Sequence, residues 1–167
     1  MYEVDNIEEN GDVSLPKPKT KKTGKETAHK KGHDFEKKVA KWAKEYFSAD
    51  KVETNILMNG NTVKRPYEID VYVHRTVLLL FGEDIWIECK NIKSSIKMTH
   101  IFKLLSSAKD IEDARDAGRE KFYFDKLAFV STSKFDVDAL SYAEDNDIAC
   151  FHYDGKKYEL KNEPDWL

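Results

Sequence analysis

The sequence predicts a single α/β domain, a central mixed β-sheet flanked by α-helices. Three observations carry that expectation. The chain has 167 residues, enough for one continuous core and too few for two independent ones. Between residues 51 and 90 apolar and polar side chains alternate in runs separated by turn residues, the pattern of neighbouring strands. Beyond residue 97 helical and strand patterns take turns, and a strand, helix, strand unit of that length makes a parallel pair.

Residues 1–31 form an arm that is first acidic and then basic. Residues 17–31 carry seven lysines against one glutamate and no large apolar side chain, so the arm has no face to bury and is expected to be disordered. It reads equally as a solubilising leader or as a phosphate-contacting arm. The folded domain is expected over 32–154, with a short hairpin and tail over 155–167.

From His33 to Phe47, the residues Phe35, Val39, Trp42, Ala43, Tyr46 and Phe47 recur at helical spacing with lysines on the other side, which predicts an amphipathic helix. Residues 51–58 read as a strand, and Asn59-Gly60-Asn61 as the turn of a hairpin. In 67–73, Ile69, Val71 and Val73 take one face and Glu68, Asp70 and Tyr72 the other. An apolar stretch at 76–81 leads to a turn predicted at Gly82-Glu83-Asp84. Residues 85–90 form a strand with Ile85, Ile87 and Cys89 on one face and Trp86, Glu88 and Lys90 on the other. A helix follows from about Met98 to Ala117, with Ile101, Leu104, Leu105, Ala108 and Ile111 on one stripe and a stop near Gly118. A strand at 127–130, a helix at 135–146 and a strand at 147–152 close the pattern.

Charged residues make up 35% of the chain, with a net charge of −3. Such a surface is heavily solvated or faces a polyanion, but bulk charge alone does not favour nucleic acid. Cys89 and Cys150 sit in apolar runs without metal-ligand spacing, which suits buried thiols in a reducing cytosol. No secretory leader and no span-length apolar stretch is visible, so a soluble, cytoplasmic, non-membrane protein is expected. His33, His74, His100 and His152 lack two-histidine zinc spacing, and neither a Walker loop nor a Gly-x-Ser-x-Gly elbow occurs.

The chemistry concentrates in four residues. Phosphodiester hydrolysis needs a nucleophilic water, screening of the phosphate and stabilisation of a leaving oxygen, tasks that carboxylate-held magnesium ions perform together. Asp70 and Glu88 stand on neighbouring strands whose faces converge if the register permits, and Lys90 puts an ammonium beside them. That ammonium would orient the attacking water or screen the charged transition state; a plain surface ion pair is the competing reading. Glu68 shares the face of Asp70, as a third ligand or an exposed partner. Glu36 is the one acid on a helix edge otherwise made of Ala40, Ala43 and Phe47, so it needs a partner such as a lysine or a metal-bound water.

The order and identity of these motifs resemble the PD-(D/E)xK nuclease superfamily, and within it the Mrr-like group. The resemblance runs from about Gly32 to Asp154. It rests on Gly32-His33-Asp34-Phe35-Glu36, on Tyr67-Glu68-Ile69-Asp70-Val71, on Trp86-Ile87-Glu88-Cys89-Lys90, and on the closing run Leu127 to Phe135 with 143–153. Ile69 stands at the place of the motif's leading proline, and the chain contains no glutamine. The resemblance implies a restriction endonuclease-like fold and a Mg²⁺- or Mn²⁺-dependent endodeoxyribonuclease. Asp70 and Glu88 would be metal ligands, Lys90 the catalytic lysine, Glu36 an outer or second ligand, and the Cys89 carbonyl a further ligand. The products would carry 5′-phosphate and 3′-hydroxyl ends.

DNA is the expected partner, with Lys64, Arg65, Lys93 and Lys97 as first choices for backbone contacts and Lys103 and Lys109 behind them. A homodimer is expected where both strands are cut. Two alternatives remain at this stage: a catalytically silent nucleic-acid-binding module on a nuclease-like fold, and a branched-DNA or repair nuclease rather than a restriction-type one.

Overall fold

A computed structural model of the chain describes residues 24–78 and 80–167, with side chains from residue 29 onward. The element order is α1 (Gly24–Tyr46), β1 (Lys51–Met58), β2 (Tyr67–Val77), β3 (Phe81–Lys90), α2 (Met98–Asp116), β4 (Lys126–Ser131), α3 (Val137–Asp145), β5 (Ile148–Tyr153) and β6 (Tyr158–Leu160). One six-stranded sheet holds all the strands in chain order. Pairing is antiparallel for β1–β2 and β2–β3, parallel for β3–β4 and β4–β5, and antiparallel for β5–β6. The expected mixed α/β architecture is thus present.

The two sheet faces bury separate cores. On one, Phe35, Val39 and Ala43 of α1, one turn apart, and Phe47 just past its end pack on Val71, Val73, Ile85, Ile87 and Cys89, with Val130 and Phe151 beyond. On the other, Ile101, Leu104 and Ile111 of α2 and Ala139 and Ala143 of α3 cover Trp86, Leu127, Phe129, Ile148 and Cys150. The alternation of β3 divides the residues as the sequence predicts, because successive side chains of a strand must point to opposite faces. Both cysteines are buried and free.

Ile69, expected on the face of Val71 and Val73, lies instead in the α2-side core. Three further sequence expectations change. The helix begins at Gly24 rather than His33, so residues 24–31 are helical where disorder is expected. Lys, Glu and Ala are good helix formers, and prolonging an existing helix adds one hydrogen bond per residue without a new nucleus. The expectation for 1–23 falls outside the described residues. Gly82-Glu83-Asp84 lies inside β3, paired with Thr76, Arg75 and His74; the chain reverses earlier, where Leu78 takes φ 52°. Leu78, Leu80 and Phe81 are left exposed there, which is why apolarity alone misplaces the turn. Finally, the expected C-terminal hairpin is present as β5–β6, but it belongs to the domain: β6 extends the sheet, and Trp166 stacks on Phe47 at 5.9 Å.

The connection from β1 to β2 is longer than a tight turn and is pinned to α2. The Asp110 carboxylate accepts the Thr62 N–H (2.9 Å), the Thr62 hydroxyl (2.7 Å) and the Tyr67 hydroxyl (3.1 Å). Its carbonyl takes the Asn61 N–H at 3.0 Å. Gly60 makes the approach feasible, since a Cβ there would lie 2.1 Å from Asp110 Oδ2 and 2.7 Å from the Tyr67 ring. Gly60→Ala is therefore expected to cost about 1–3 kcal/mol, read as a thermal midpoint several degrees lower by calorimetry; an unchanged midpoint would mean the loop is not seated as described.

Candidate functional site

The ladder between β2 and β3 runs from Val77↔Phe81 to Val71↔Ile87 and goes no further. At the next position a side chain replaces the backbone acceptor: the Cys89 N–H donates to Asp70 Oδ2 at 2.8 Å. Glu88 and Lys90 follow on β3, where Lys90 Nζ donates to Glu88 Oε1 at 2.5 Å. β3 stays anchored on its other side by parallel pairing with β4 through Lys90↔Ser131.

Glu36 comes from the opposite layer, on α1. Two turns into α1, the helix is tied to the end of β3 by Asn91, whose side-chain amide donates to the Lys31 carbonyl at 3.3 Å. Asp70, Glu88 and Lys90 lie together at one end of β3, while Glu36, on α1, acts on Asp70 and Cys89 only through its charge, which raises the proton affinity of both. Among the described side chains the partner of Glu36 is His33 and not a lysine: His33 Nδ1 lies 2.8 Å from Glu36 Oε2. Cys89 contributes its N–H, while its thiol is buried in the α1-side core.

A cleft of about 430 Å³ opens between the sheet and α2. Asp70, Glu88 and Trp86 form its sheet wall, Arg65, Tyr67 and Glu68 one lip, and Lys103, Leu104 and Ser107 the α2 wall. Of the cations expected to grip a phosphate backbone, Arg65 lines this cleft and is exposed. Lys64 and Lys93 are exposed and do not line it. Lys97 lies at the start of α2, 3.5 Å from Asp136, and also stands outside. Lys109 is spent on Glu112 and Asp113 at 2.9 and 3.2 Å. Lys103, ranked behind Lys97 from sequence, is the lysine on the cleft wall.

Electrostatics sets the character of the site. Burial, then the neighbouring charge of Glu88, push the Asp70 carboxyl up from 3.8 to about 7, with Glu36 adding to the rise; the Cys89 N–H and Lys90 oppose it. Burial pulls the Lys90 ammonium down, but the charge and hydrogen bond of Glu88, with Asp70, outweigh it and hold Lys90 above its ordinary value. Lys90 is accordingly a cation at neutral pH, suited to stabilising negative charge and not to removing a proton. Burial raises the Cys89 thiol further, so it stays protonated.

Asp70 and Glu88 offer hard carboxylate oxygens, the donors magnesium and manganese take, and the raised proton affinity of Asp70 marks a place where uncompensated negative charge is costly. The residues present fit such an ion. Among the described residues, however, no three His, Cys, Asp or Glu side chains stand together as a ready metal cage. The reason is local: Glu88 is held by Lys90 and Glu36 by His33, so both acids must turn from a protein partner to reach a shared ion.

His33, Asp110 and Lys103 are the residues that sequence reasoning undervalued. His33 and Glu36 are three apart on one helix, which makes them neighbours. Asp110 is an acid buried beside Ile111 on the α2 stripe, the same clue that singles out Glu36.

No protein-family model and no curated protein matches this chain. A solved structure titled as a protein of unknown function, AF1548, is similar at a TM-score of 0.54 and 24% identity, over 72% of this chain and 55% of that one. The likeness concerns the fold alone, and this chain spans about half of that protein's length. No helix among the described residues is long and apolar enough to cross a membrane.

The raised proton affinity of Asp70 has a consequence for stability. A carboxyl held near 7 when folded and near 3.8 when unfolded binds its proton more tightly in the folded chain. Its contribution favours folding fully below about pH 4 and is lost as pH rises through about 7. In EDTA, Asp70→Asn is therefore expected to be more stable than the wild type at pH 8, by on the order of 2–4 kcal/mol, with the gap closing toward pH 4. Thermal unfolding across pH measures this; an Asn variant less stable at pH 8 would contradict it.

Proposed function

We propose that the cleft hydrolyses phosphodiester bonds of DNA with magnesium or manganese, on a restriction endonuclease-like fold. The observation that carries this reading is the junction of Asp70, Glu88 and Lys90 where β2 and β3 part, at the edge of a cleft whose other walls supply Arg65 and Lys103. Three antiparallel strands, two parallel additions and a helix bringing in Glu36 agree with the fold that the motif order implies.

Asp70 and Glu88 would hold the cation, with Glu36 as an outer ligand. When bound, such an ion supplies Lewis acidity toward a phosphate oxygen and lowers the pKa of water in its shell. Lys90 remains charged and faces the developing negative charge of the transition state. Arg65 and Lys103 orient the DNA backbone as phosphate contacts. Asp70 keeps its fixed position through the Cys89 N–H, while Glu88 leaves Lys90 to complete the site. Cutting both strands with one such site requires two copies, so a homodimer belongs to this reading.

A second reading is favoured by one specific feature: Glu88 is already paired with Lys90, and Glu36 is already hydrogen-bonded to His33. A nucleic-acid-binding module that keeps the fold and does no chemistry would look the same.

Incubation with plasmid, single-stranded and branched DNA and with RNA separates the two. The expected result is cleavage of DNA with Mg²⁺ or Mn²⁺, abolished by EDTA and reduced at least about a hundredfold in Asp70→Ala and Lys90→Ala. Arg65→Ala is expected to raise KM more than it lowers kcat, as a backbone contact should. Cleavage that persists in EDTA or in Lys90→Ala contradicts the mechanism. Binding without cleavage of any of these substrates favours the silent module.

A further inference from the structure

We propose that the trough between α1 and the β5–β6 turn is a second nucleic-acid contact, which takes a phosphodiester backbone on the side of α1 away from Glu36. The trough is open and about 630 Å³ in volume. Lys38 and Lys41 of α1 line one bank, and Lys156 and Lys157 of the turn line the other. All four are exposed, and among the described residues none of their ammonium groups stands in an ion pair. One acid, Glu45, shares the trough. In a chain of net charge −3, this excess of cations is local and owes nothing to the bulk composition.

The turn that presents two of these lysines is built rather than loose. The backbone N–H groups of Lys156 and Lys157 both donate to Asp154 Oδ1, at 2.7 and 2.9 Å. Gly155, at φ 101°, permits the reversal, and the Tyr153 hydroxyl donates to the Gly155 carbonyl at 2.8 Å. The floor is aromatic: Tyr158 stacks between Trp42, at 4.3 Å and 17°, and Tyr153, at 4.5 Å and 28°. These rings are half-buried and fix the separation of the two banks.

Helical geometry places Lys38, Lys41, Trp42 and Glu45 on one face, with Glu36 about 160° around the helix from Lys38. The trough lies on the α1 side of the sheet and the cleft on the α2 side, and the two share no lining residue. Two pairs of ammonium groups facing each other across the trough match the charge of a phosphodiester line; Lys157 also lies within electrostatic reach of Asp154 and Glu159. The proposal goes beyond the activity of the cleft and would hold for a cleft that does no chemistry.

Fluorescence anisotropy tests it with the full chain in EDTA, using short labelled single-stranded and duplex DNA over a range of salt. Reversing Lys38, Lys41, Lys156 and Lys157 to Glu is expected to weaken binding by about tenfold or more, and to make the dependence of log K on log salt shallower by about two to four. The same four changed to Gln, checked for an unaltered thermal midpoint, should lose affinity in the same direction. Wild-type affinity in the Gln variant overturns the proposal, as does displacement of the DNA by polyglutamate at equal charge. If those variants bind normally while Asp70→Ala abolishes cleavage, the trough proposal fails and the cleft keeps its function. If no DNA is cut but the variants lose binding, the reverse holds.

Discussion

A side chain takes the place of a ladder hydrogen bond at the centre of this protein. Asp70 Oδ2 accepts the Cys89 N–H where the pairing of β2 and β3 ends, so the strands stay joined while their backbones part. Without an acceptor there, a buried N–H would be left unpaired, at a cost of about 1–3 kcal/mol. With one, Asp70 is fixed at the mouth of the gap, Glu88 and Lys90 project beside it, and α1 is held alongside by the bond from Asn91 to the Lys31 carbonyl. The cleft owes its shape to that single substitution of carboxylate for carbonyl.

The same arrangement explains why the site is electrostatically uneasy. Burial and a second acid make ionised Asp70 costly, and the fold offsets only part of this with one N–H and one ammonium. Glu88 and Glu36 have found partners in Lys90 and His33. On the other side, Asp110 and Gly60 seat the loop that brings Arg65 to the lip of the cleft.

Much of this was legible in the residues. The alternation in 85–90 separated Ile85, Ile87 and Cys89 from Trp86, Glu88 and Lys90 because a strand allows no other distribution, and the stripe Phe35, Val39, Ala43, Phe47 marked the buried edge of α1 for the same kind of reason. An acid on an apolar edge gave Glu36 away. What stayed hidden depends on contacts between distant segments. Asp110 serves a loop 48 residues earlier in the chain, which no local periodicity encodes. Whether Lys97 or Lys103 faces the cleft depends on how α2 sits against the sheet. The helical start at Gly24 was obscured because a lysine-rich stretch without apolar residues looks the same whether it prolongs a helix or hangs free. Gly82 read as a turn because a glycine inside a strand gives no sign of its reason; here a Cβ would lie 2.8 Å from the His74 ring.

The central claim is that Asp70 and Glu88 hold a divalent cation once Glu88 turns from Lys90. Titration of Mn²⁺ into the DNA-free protein, followed by calorimetry or by the electron spin resonance of the free ion, measures it directly and independently of catalysis. The account predicts saturable binding that weakens at least about tenfold in both Asp70→Asn and Glu88→Gln. Mn²⁺ binding of equal strength in the wild type and both variants would contradict it.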